Sequence, residues 1–234
     1  MSSERGLFIT FEGGEGTGKS CQIERFAAYL RAQGKEVICT REPGGTEIGK
    51  AIRKLLVEGD KDKFDELTEL LLFYADRRIN LTKVIWPAIE QGKIVLSDRF
   101  NDSTIAYQYY GSAKFKDTKI IDTLYEMVAP NFKPDLTFLL DIDVKTGLAR
   151  SFAKAEGMEN KELRFENTEI AFHERLRQGY LSLAKKEEKR FRVIEAAADI
   201  ESVTKKIIET YQEFRATSYP TTQTYEKKQS SELF

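Results

Sequence analysis

The sequence predicts an α/β fold, a five-stranded parallel sheet flanked by helices, on three observations. Five short apolar runs bounded by turn residues, GLFITFEG, EVICTREPGG, KIVLSDR, DLTFLLDID and RFRVIEA, suit strands buried in a parallel sheet. Amphipathic stretches at helical spacing separate them, the alternation that parallel crossovers require. Polar clusters close three of the runs, at Gly13 to Ser20, Arg41 to Thr46, and Asp98 with Arg99. Open parallel sheets bind ligands at those strand ends.

Taken in order, the first strand leads into a helix beginning at Lys19. After the second strand, Ile48, Ile52, Leu55 and Leu56 recur at helical spacing from Thr46 onward, and a third helical pattern spans Asp65 to Leu81. A separate helix is expected from Thr82 to Gln91 despite Pro87. Further helices fall at Ser103 to Tyr110, Thr118 to Val128, Val144 to Lys154, Glu166 to Lys186 and Asp199 to Phe214. A chain of 234 residues can bury one substantial core, so residues 1–214 are expected to form a single domain. From 215 to 234 the chain is rich in Ser, Thr, Gln and Lys without apolar periodicity, which predicts a flexible tail.

Composition excludes some functions. Thirty-seven Lys and Arg against 38 Asp and Glu give a formal net charge of -1, so the overall field suits neither a nucleic-acid coat nor a membrane-surface protein. The first residues lack the apolar core and cleavage site of a secretion signal, and no run approaches membrane-spanning length, which predicts a soluble, cytoplasmic protein. Cys21 and Cys39 lack metal-ligand spacing and are expected to be buried, reduced thiols.

FEGGEGTGKS carries the most specific chemistry. Gly13, Gly14, Glu15, Gly16, Thr17, Gly18, Lys19 and Ser20 satisfy G-x-x-x-x-G-K-[ST] between a strand and a helix, a phosphate-binding loop for ATP. The glycines let backbone N–H groups turn inward and the helix N-terminus adds positive potential. Lys19 reaches the terminal phosphates, and Ser20 can ligate Mg2+. At the end of the third strand Asp98 can hold the same ion, or serve simply as a turn or helix-capping residue. A regulatory GTPase would add N-K-x-D and D-x-x-G motifs. The nearest match to the first is Asn160-Lys-Glu-Leu, and the second is absent.

From Leu7 to about Phe214 the chain resembles the thymidylate kinase family. The shared segments, in family order, are FEGGEGTGKS, TREPGGTEIGKAIR, LLLFYADR, SDRFNDSTIAYQYYG, PDLTFLLDID and FHERLRQGYLSLA. The resemblance implies the P-loop nucleoside-monophosphate-kinase fold with a mobile lid, transfer of a phosphoryl group from ATP to dTMP, Mg2+ with ATP, and a homodimer. It implies that Phe73 stacks on thymine, or otherwise packs in the core, while Arg77, four residues on and on the same helix face, hydrogen-bonds the base. Arg78 is expected to be the solvated neighbour. Arg53 and Arg99 would clamp the acceptor phosphate, as planar guanidinium groups can. Gln108 and Thr104 would read the base edge, Tyr107 would crowd the sugar's 2′ side, and the Arg41, Glu42, Pro43 turn would hold the acceptor.

The family places its catalytic arginine either in the phosphate loop or in the lid, and Gly16 fits the lid type. The lid falls at about residues 152–165, where Ala153-Lys154-Ala155-Glu156-Gly157-Met158 departs from the usual Arg-Gly. Arg164 and Arg150 are the candidates, with Lys154 a weaker substitute. His173, without a second histidine, reads as a packed or exposed helix residue. Glu15, an acid inside a phosphate loop, is assigned to the acceptor side, or else to solvent.

Overall fold

The structure, a computed structural model, describes residues 5–58, 63–113, 115–156 and 168–217. Five parallel strands form one sheet in the order β2-β3-β1-β4-β5: β1 (Phe8–Glu12), β2 (Val37–Arg41), β3 (Ile94–Asp98), β4 (Leu136–Asp141) and β5 (Phe191–Glu195). Phe11 pairs with Asp98 on one side of β1 and Phe138 on the other, so the C-terminal ends of the three central strands lie side by side. The order reverses at β1, which puts the loop after it at the crevice where ligands bind.

The central strands β1 and β3 are buried along their whole length, as their continuous apolar runs require, whereas the edge strands β2 and β5 alternate. That edge position corrects the expectation of two buried thiols. Cys39 lies on edge strand β2 and is exposed, and Cys21 is half-buried; both are free.

Helices cover both faces. On one, α1 (Lys19–Ala32) and α9 (Ile200–Thr217) pack Phe26 and Tyr211 onto Phe11 and Phe138. On the other, Phe8 meets Phe100 edge-on and stacks on Phe132. Such aromatic pairs add about 0.5–1.5 kcal/mol each beyond burial of their area. The helix α9 continues past Phe214 to Thr217, beyond the expected end of the domain, and residues 218–234 lie outside the described chain.

Local signals set several helix starts. Thr46 accepts a hydrogen bond from Gly49 N–H at the start of α2 (Glu47–Val57), Asp65 from Thr68 N–H at α3 (Glu66–Asn80), and Asp143 from Thr146 N–H at α7 (Val144–Ala155). Each cap contributes about 1 kcal/mol. Beyond α3 the structure departs from the two separate helices expected. The chain runs on through a π-helical segment, Leu81–Ile85, into α4 (Trp86–Glu90). Pro87 explains this: it lacks an N–H and its ring crowds the preceding turn, and a widened turn relieves both without ending the helix. A second π segment, Ile105–Gly111, follows the short α5 (Asn101–Thr104), before α6 (Lys119–Val128). The long α8 (Ile170–Lys186) lays Phe172, Leu176 and Tyr180 against Ala106 and Tyr107.

Candidate active site

The loop after β1 adopts backbone angles that its glycines permit. Gly13, Gly16 and Gly18 have φ of 139°, 67° and 86°. Because α1 starts at Gly18, which has no side chain to cap it, the first helical N–H groups stay available to an anion. A Cβ at Gly16 would lie 1.8 Å from the carbonyl oxygen of Gly147 on α7. The loop at that point therefore has no room for an arginine, a steric reason for glycine here.

Lys19 curls back over the loop, with Nζ donating to Gly13 O at 3.0 Å and Gly14 O at 2.8 Å. Burial, then the nearby Arg99 cation, push its amine down to about 8. Phosphate oxygens would replace those carbonyls and return charge compensation. Ser20 Oγ donates to Asp98 Oδ2 at 3.0 Å, and Arg41 stands 3.8 Å from the same oxygen. Adjacent hydroxyl and carboxylate oxygens suit Mg2+, which usually takes one or two protein ligands and keeps water and substrate phosphates for the rest. Accordingly, no cluster of three or more His, Cys, Asp or Glu able to hold a metal occurs among the described residues.

Arg99 follows β3 and reaches back to the loop after β1. Its φ of 72° is left-handed, a conformation costing a non-glycine residue about 1–2 kcal/mol, and it turns the side chain back over the strand ends. One guanidinium nitrogen donates to Gly13 O at 2.9 Å, Ser103 Oγ at 3.1 Å and Tyr180 OH at 3.0 Å. The other donates to Glu15 Oε1 at 3.0 Å and Tyr107 OH at 2.7 Å. Tyr107 in turn donates to Glu15, and the Arg99 guanidinium lies 4.8 Å from the Tyr107 ring centre. Burial alone would raise the Glu15 carboxyl, but Arg99 and Lys19 outweigh it and hold it below the ordinary range. Glu15 is thus held by Arg99 and Tyr107 and is not a solvent-facing loop acid.

A second cluster of expected site residues is built around Arg77, almost wholly buried on α3. Its Nε donates to Glu42 Oε2 at 2.8 Å, Nη1 to Asn101 Oδ1 at 3.0 Å and Nη2 to Thr104 Oγ1 at 2.9 Å. The guanidinium packs 4.8 Å from the Tyr74 ring and 5.1 Å from that of Phe100. Asn80 Nδ2 donates to the other Glu42 oxygen at 3.1 Å. Burial keeps the Glu42 carboxyl above its ordinary range even beside Arg77; on Arg77 burial pushes down, and Glu42 together with Tyr74 and Tyr125 outweighs it and holds the guanidinium above its ordinary value. Gln108 donates to the buried Glu69 at 2.8 Å. Phe73 is half-buried on the same helix face as Arg77. Arg53 donates to Pro43 O at 3.1 Å, and its stem packs on Gly44.

Some expected residues lie elsewhere. Arg78 is not the solvated neighbour: it donates to Val128 O at 2.8 Å and stands 5.0 Å from the Trp86 ring. Arg150 donates to Ala196 O at 2.9 Å and Ala197 O at 3.0 Å, in the turn after β5, so here its guanidinium is turned onto that turn. Arg164 and the expected lid from 157 onward lie outside the described residues, while 152–155 belong to α7. His173 is a packed histidine, with Nε2 2.9 Å from Thr168 Oγ1.

Sequence reasoning missed the supports behind these groups. Glu12, fully buried, accepts from Phe100 N–H at 2.8 Å and Ser103 Oγ at 2.5 Å. Burial, then the Asp102 carboxylate, push its carboxyl up to about 7. A charged residue ending a largely apolar strand was the available signal. Asp76 accepts from Gly44 N–H at 3.0 Å through Oδ1, while its buried Oδ2 has no hydrogen-bond partner among the described residues, and burial, then Glu42, raise it to about 7. Asp102 meets Arg190 through two contacts of 2.7 Å.

A phosphate loop after β1, a buried arginine cluster beside it and a five-stranded parallel sheet of order β2-β3-β1-β4-β5 define a P-loop nucleoside-monophosphate kinase. The family model described as Thymidylate kinase matches residues 11–207. The thymidylate kinase of Caulobacter vibrioides is 47% identical over 200 residues, covering 86% of this chain and 93% of the relative. That of Halothermothrix orenii is 47% identical over 203 residues, 87% of this chain and 95% of its own. The crystal structure of the thymidylate kinase from Ehrlichia chaffeensis superposes with a TM-score of 0.71 at 37% identity, covering 89% of this chain and 99% of that one. The chain belongs to the thymidylate kinase family.

Proposed function

We propose that this chain carries out the family's reaction, transfer of the γ-phosphoryl group of ATP to dTMP to give dTDP and ADP, in dTTP synthesis. A dTMP phosphate oxygen attacks the γ-phosphorus, the bond from that phosphorus to the β–γ bridging oxygen breaks, and ADP leaves. The acceptor phosphate is already ionised near neutral pH, so alignment and charge neutralisation carry the step rather than a strong base.

The observation that supports this reading best is the contact of Arg99 with both Gly13 O and Glu15 of the donor loop. It supports a cation standing between the loop that takes ATP and a second pocket for the acceptor, whose lining on this reading is Arg77 and Phe73. Lys19 takes the β- and γ-phosphates, and Arg99 and Arg53 the acceptor phosphate. Arg77, Phe73, Thr104 and Gln108 take the base, and Tyr107 and Glu15 the sugar. Arg41, Glu42 and Pro43 shape the acceptor turn. Ser20 and Asp98 would hold Mg2+, which supplies charge neutralisation at the phosphates. The lid would add Arg164, or Arg150 after leaving its carbonyl partners. The buried charged cluster around Arg77 goes beyond the needs of a nucleotide switch, which disfavours a purely nucleotide-binding role.

The reading includes a cytoplasmic homodimer. The dimer is supported by exposed apolar side chains on three helices that pack in series, α2 on α3 and α3 on α6: Ile48 and Leu55 on α2, Leu67 and Leu71 on α3, Ile120 and Met127 on α6. Each is at least 37% exposed, and Met127 is 71% exposed. Such a patch suits burial against a second copy.

A coupled assay of ADP release across a panel of nucleoside monophosphates tests the activity. Rapid turnover with dTMP and little with dCMP, AMP or GMP is expected. No stimulation by any monophosphate, or faster turnover with another, would overturn the assignment.

A further inference from the structure

Tyr180 stands on α8, remote in sequence from the phosphate loop and from the arginine-bearing strand end. Its hydroxyl nevertheless lies 3.0 Å from Nη1 of Arg99, 2.7 Å from Ser103 Oγ and 3.4 Å from Glu12 Oε2. The Arg99 guanidinium is divided by these contacts. Nη1 is tied to Gly13 O, Ser103 and Tyr180, while Nη2 faces Glu15 and Tyr107, the groups assigned to the acceptor sugar. An arriving phosphate would compete for the second nitrogen. The first would hold the plane of the guanidinium in place.

The hydrogen-bond order fits that division. With Glu12 ionised, Ser103 donates its proton to Glu12 and Tyr180 donates to Ser103, so lone pairs of both hydroxyl oxygens remain for Arg99. The other Glu12 oxygen is fixed by Phe100 N–H. Tyr180, Ser103 and Glu12 are all buried, so little water is at hand to replace a lost hydroxyl. On α8, Phe172, Leu176 and Tyr180 recur every four residues on one face, and the Phe172 ring packs 6.1 Å from that of Tyr107.

We propose that Tyr180, backed by Ser103 and Glu12, is a positioning residue for phosphoryl transfer, fixing the Arg99 guanidinium so that its Nη2 edge, now on Glu15 and Tyr107, is presented to the acceptor phosphate. The inference rests on Arg99 being the phosphate clamp. Tyr180 touches no reacting atom and acts only through that arginine.

A double-mutant cycle tests it, with Tyr180→Phe, Arg99→Ala and the pair, measuring kcat and the KM for each substrate. Misplacing an aligned group can cost up to about a hundredfold, so Tyr180→Phe is expected to lower kcat/KM for dTMP by about tenfold or more. The KM for ATP should stay within about twofold, and in the Arg99→Ala background the same change should cost less than about twofold. Ser103→Ala, run in the same cycle, gives the same pattern if the hydroxyl chain is responsible, and thermal melting verifies that each variant folds. An equal loss in both backgrounds would assign Tyr180 to packing and overturn the inference, as would full activity of Tyr180→Phe. If Arg99→Ala alone left kcat/KM unchanged, the clamp reading would fall first and the inference with it.

Discussion

Arg77 Nε and Glu42 Oε2 form a 2.8 Å contact in which neither side chain is more than 4% exposed. A helix residue is thereby locked to the turn after β2, and the same guanidinium reaches Asn101 and Thr104. Breaking a buried pair leaves one charge uncompensated, which typically costs about 3–5 kcal/mol. Arg77→Met should therefore destabilise the protein by several kcal/mol in urea unfolding, and Arg77→Met with Glu42→Gln should cost clearly less than the sum of the two single changes. Additive losses would show that the pair is not coupled. Loss of Arg77 should also weaken discrimination between dTMP and other pyrimidine monophosphates in competition assays.

Lys19 carries a pH dependence. Its amine, pushed down to about 8 by burial and Arg99, is charged below that pH and neutral above it. ATP phosphates favour the charged form. ATP affinity should thus be flat below about pH 8 and fall toward tenfold per unit above it. Titration calorimetry from pH 7 to 9.5 would show this; a flat affinity across the range would contradict it. Lys19→Ala should lower kcat by about a hundredfold or more with little change in melting temperature.

Gly16 meets the carbonyl of Gly147 too closely for any side chain and has a left-handed φ of 67°. Supplying an arginine from the loop in place of the lid is therefore barred by α7. Gly16→Arg should lower both kcat and stability, the latter by about 1–3 kcal/mol from overpacking and backbone strain. A gain in turnover with unchanged melting would contradict the steric argument.

Asp76 predicts a slope in stability against pH. Its carboxyl is raised from 3.8 to about 7, so the folded protein binds the proton more tightly than the unfolded chain. That contribution is fully present below about pH 4 and is lost as pH rises through 7. Asp76→Asn keeps an oxygen for Gly44 N–H and removes the titration. Relative to the unsubstituted protein, the variant should gain stability between pH 4 and 7.5 by on the order of 3–4 kcal/mol. Parallel urea-unfolding curves for the two proteins across that range would count against it.

The exposed apolar side chains of α2, α3 and α6 predict the association state. If they seat a second copy, sedimentation should report twice the 26.9 kDa chain mass, and Leu71→Glu with Met127→Glu should yield monomers. A monomer before substitution, or an intact dimer after it, would place the interface elsewhere or remove it.

Local patterns made the five strands legible, because buried parallel strands are continuous apolar runs and turn residues bound them. The phosphate loop was legible too, since glycine, lysine and serine must stand at fixed spacing for backbone N–H groups to face an anion. Phe73 and Arg77 could be placed on one helix face from their spacing of four. The sequence did not reveal that Leu81–Ile85 would widen and carry one helix through Pro87, nor that Cys39 would lie on an exposed edge.

The sequence by itself determined the α/β alternation, the donor loop and the side chains available to the proposed acceptor site, all of which depend on neighbours a few residues apart. Tertiary structure alone decided which groups meet. Sheet order places Asp98 beside Phe11, the left-handed turn at Arg99 swings its side chain over Gly13, and α8 brings Tyr180 back to it. Glu12, Ser103 and Tyr180 are separated by 91 and 77 residues, and their contact depends on how the layers pack. Partners that far apart leave no periodicity to read, because they are joined by burial and hydrogen bonding across the sheet rather than by helix or strand geometry.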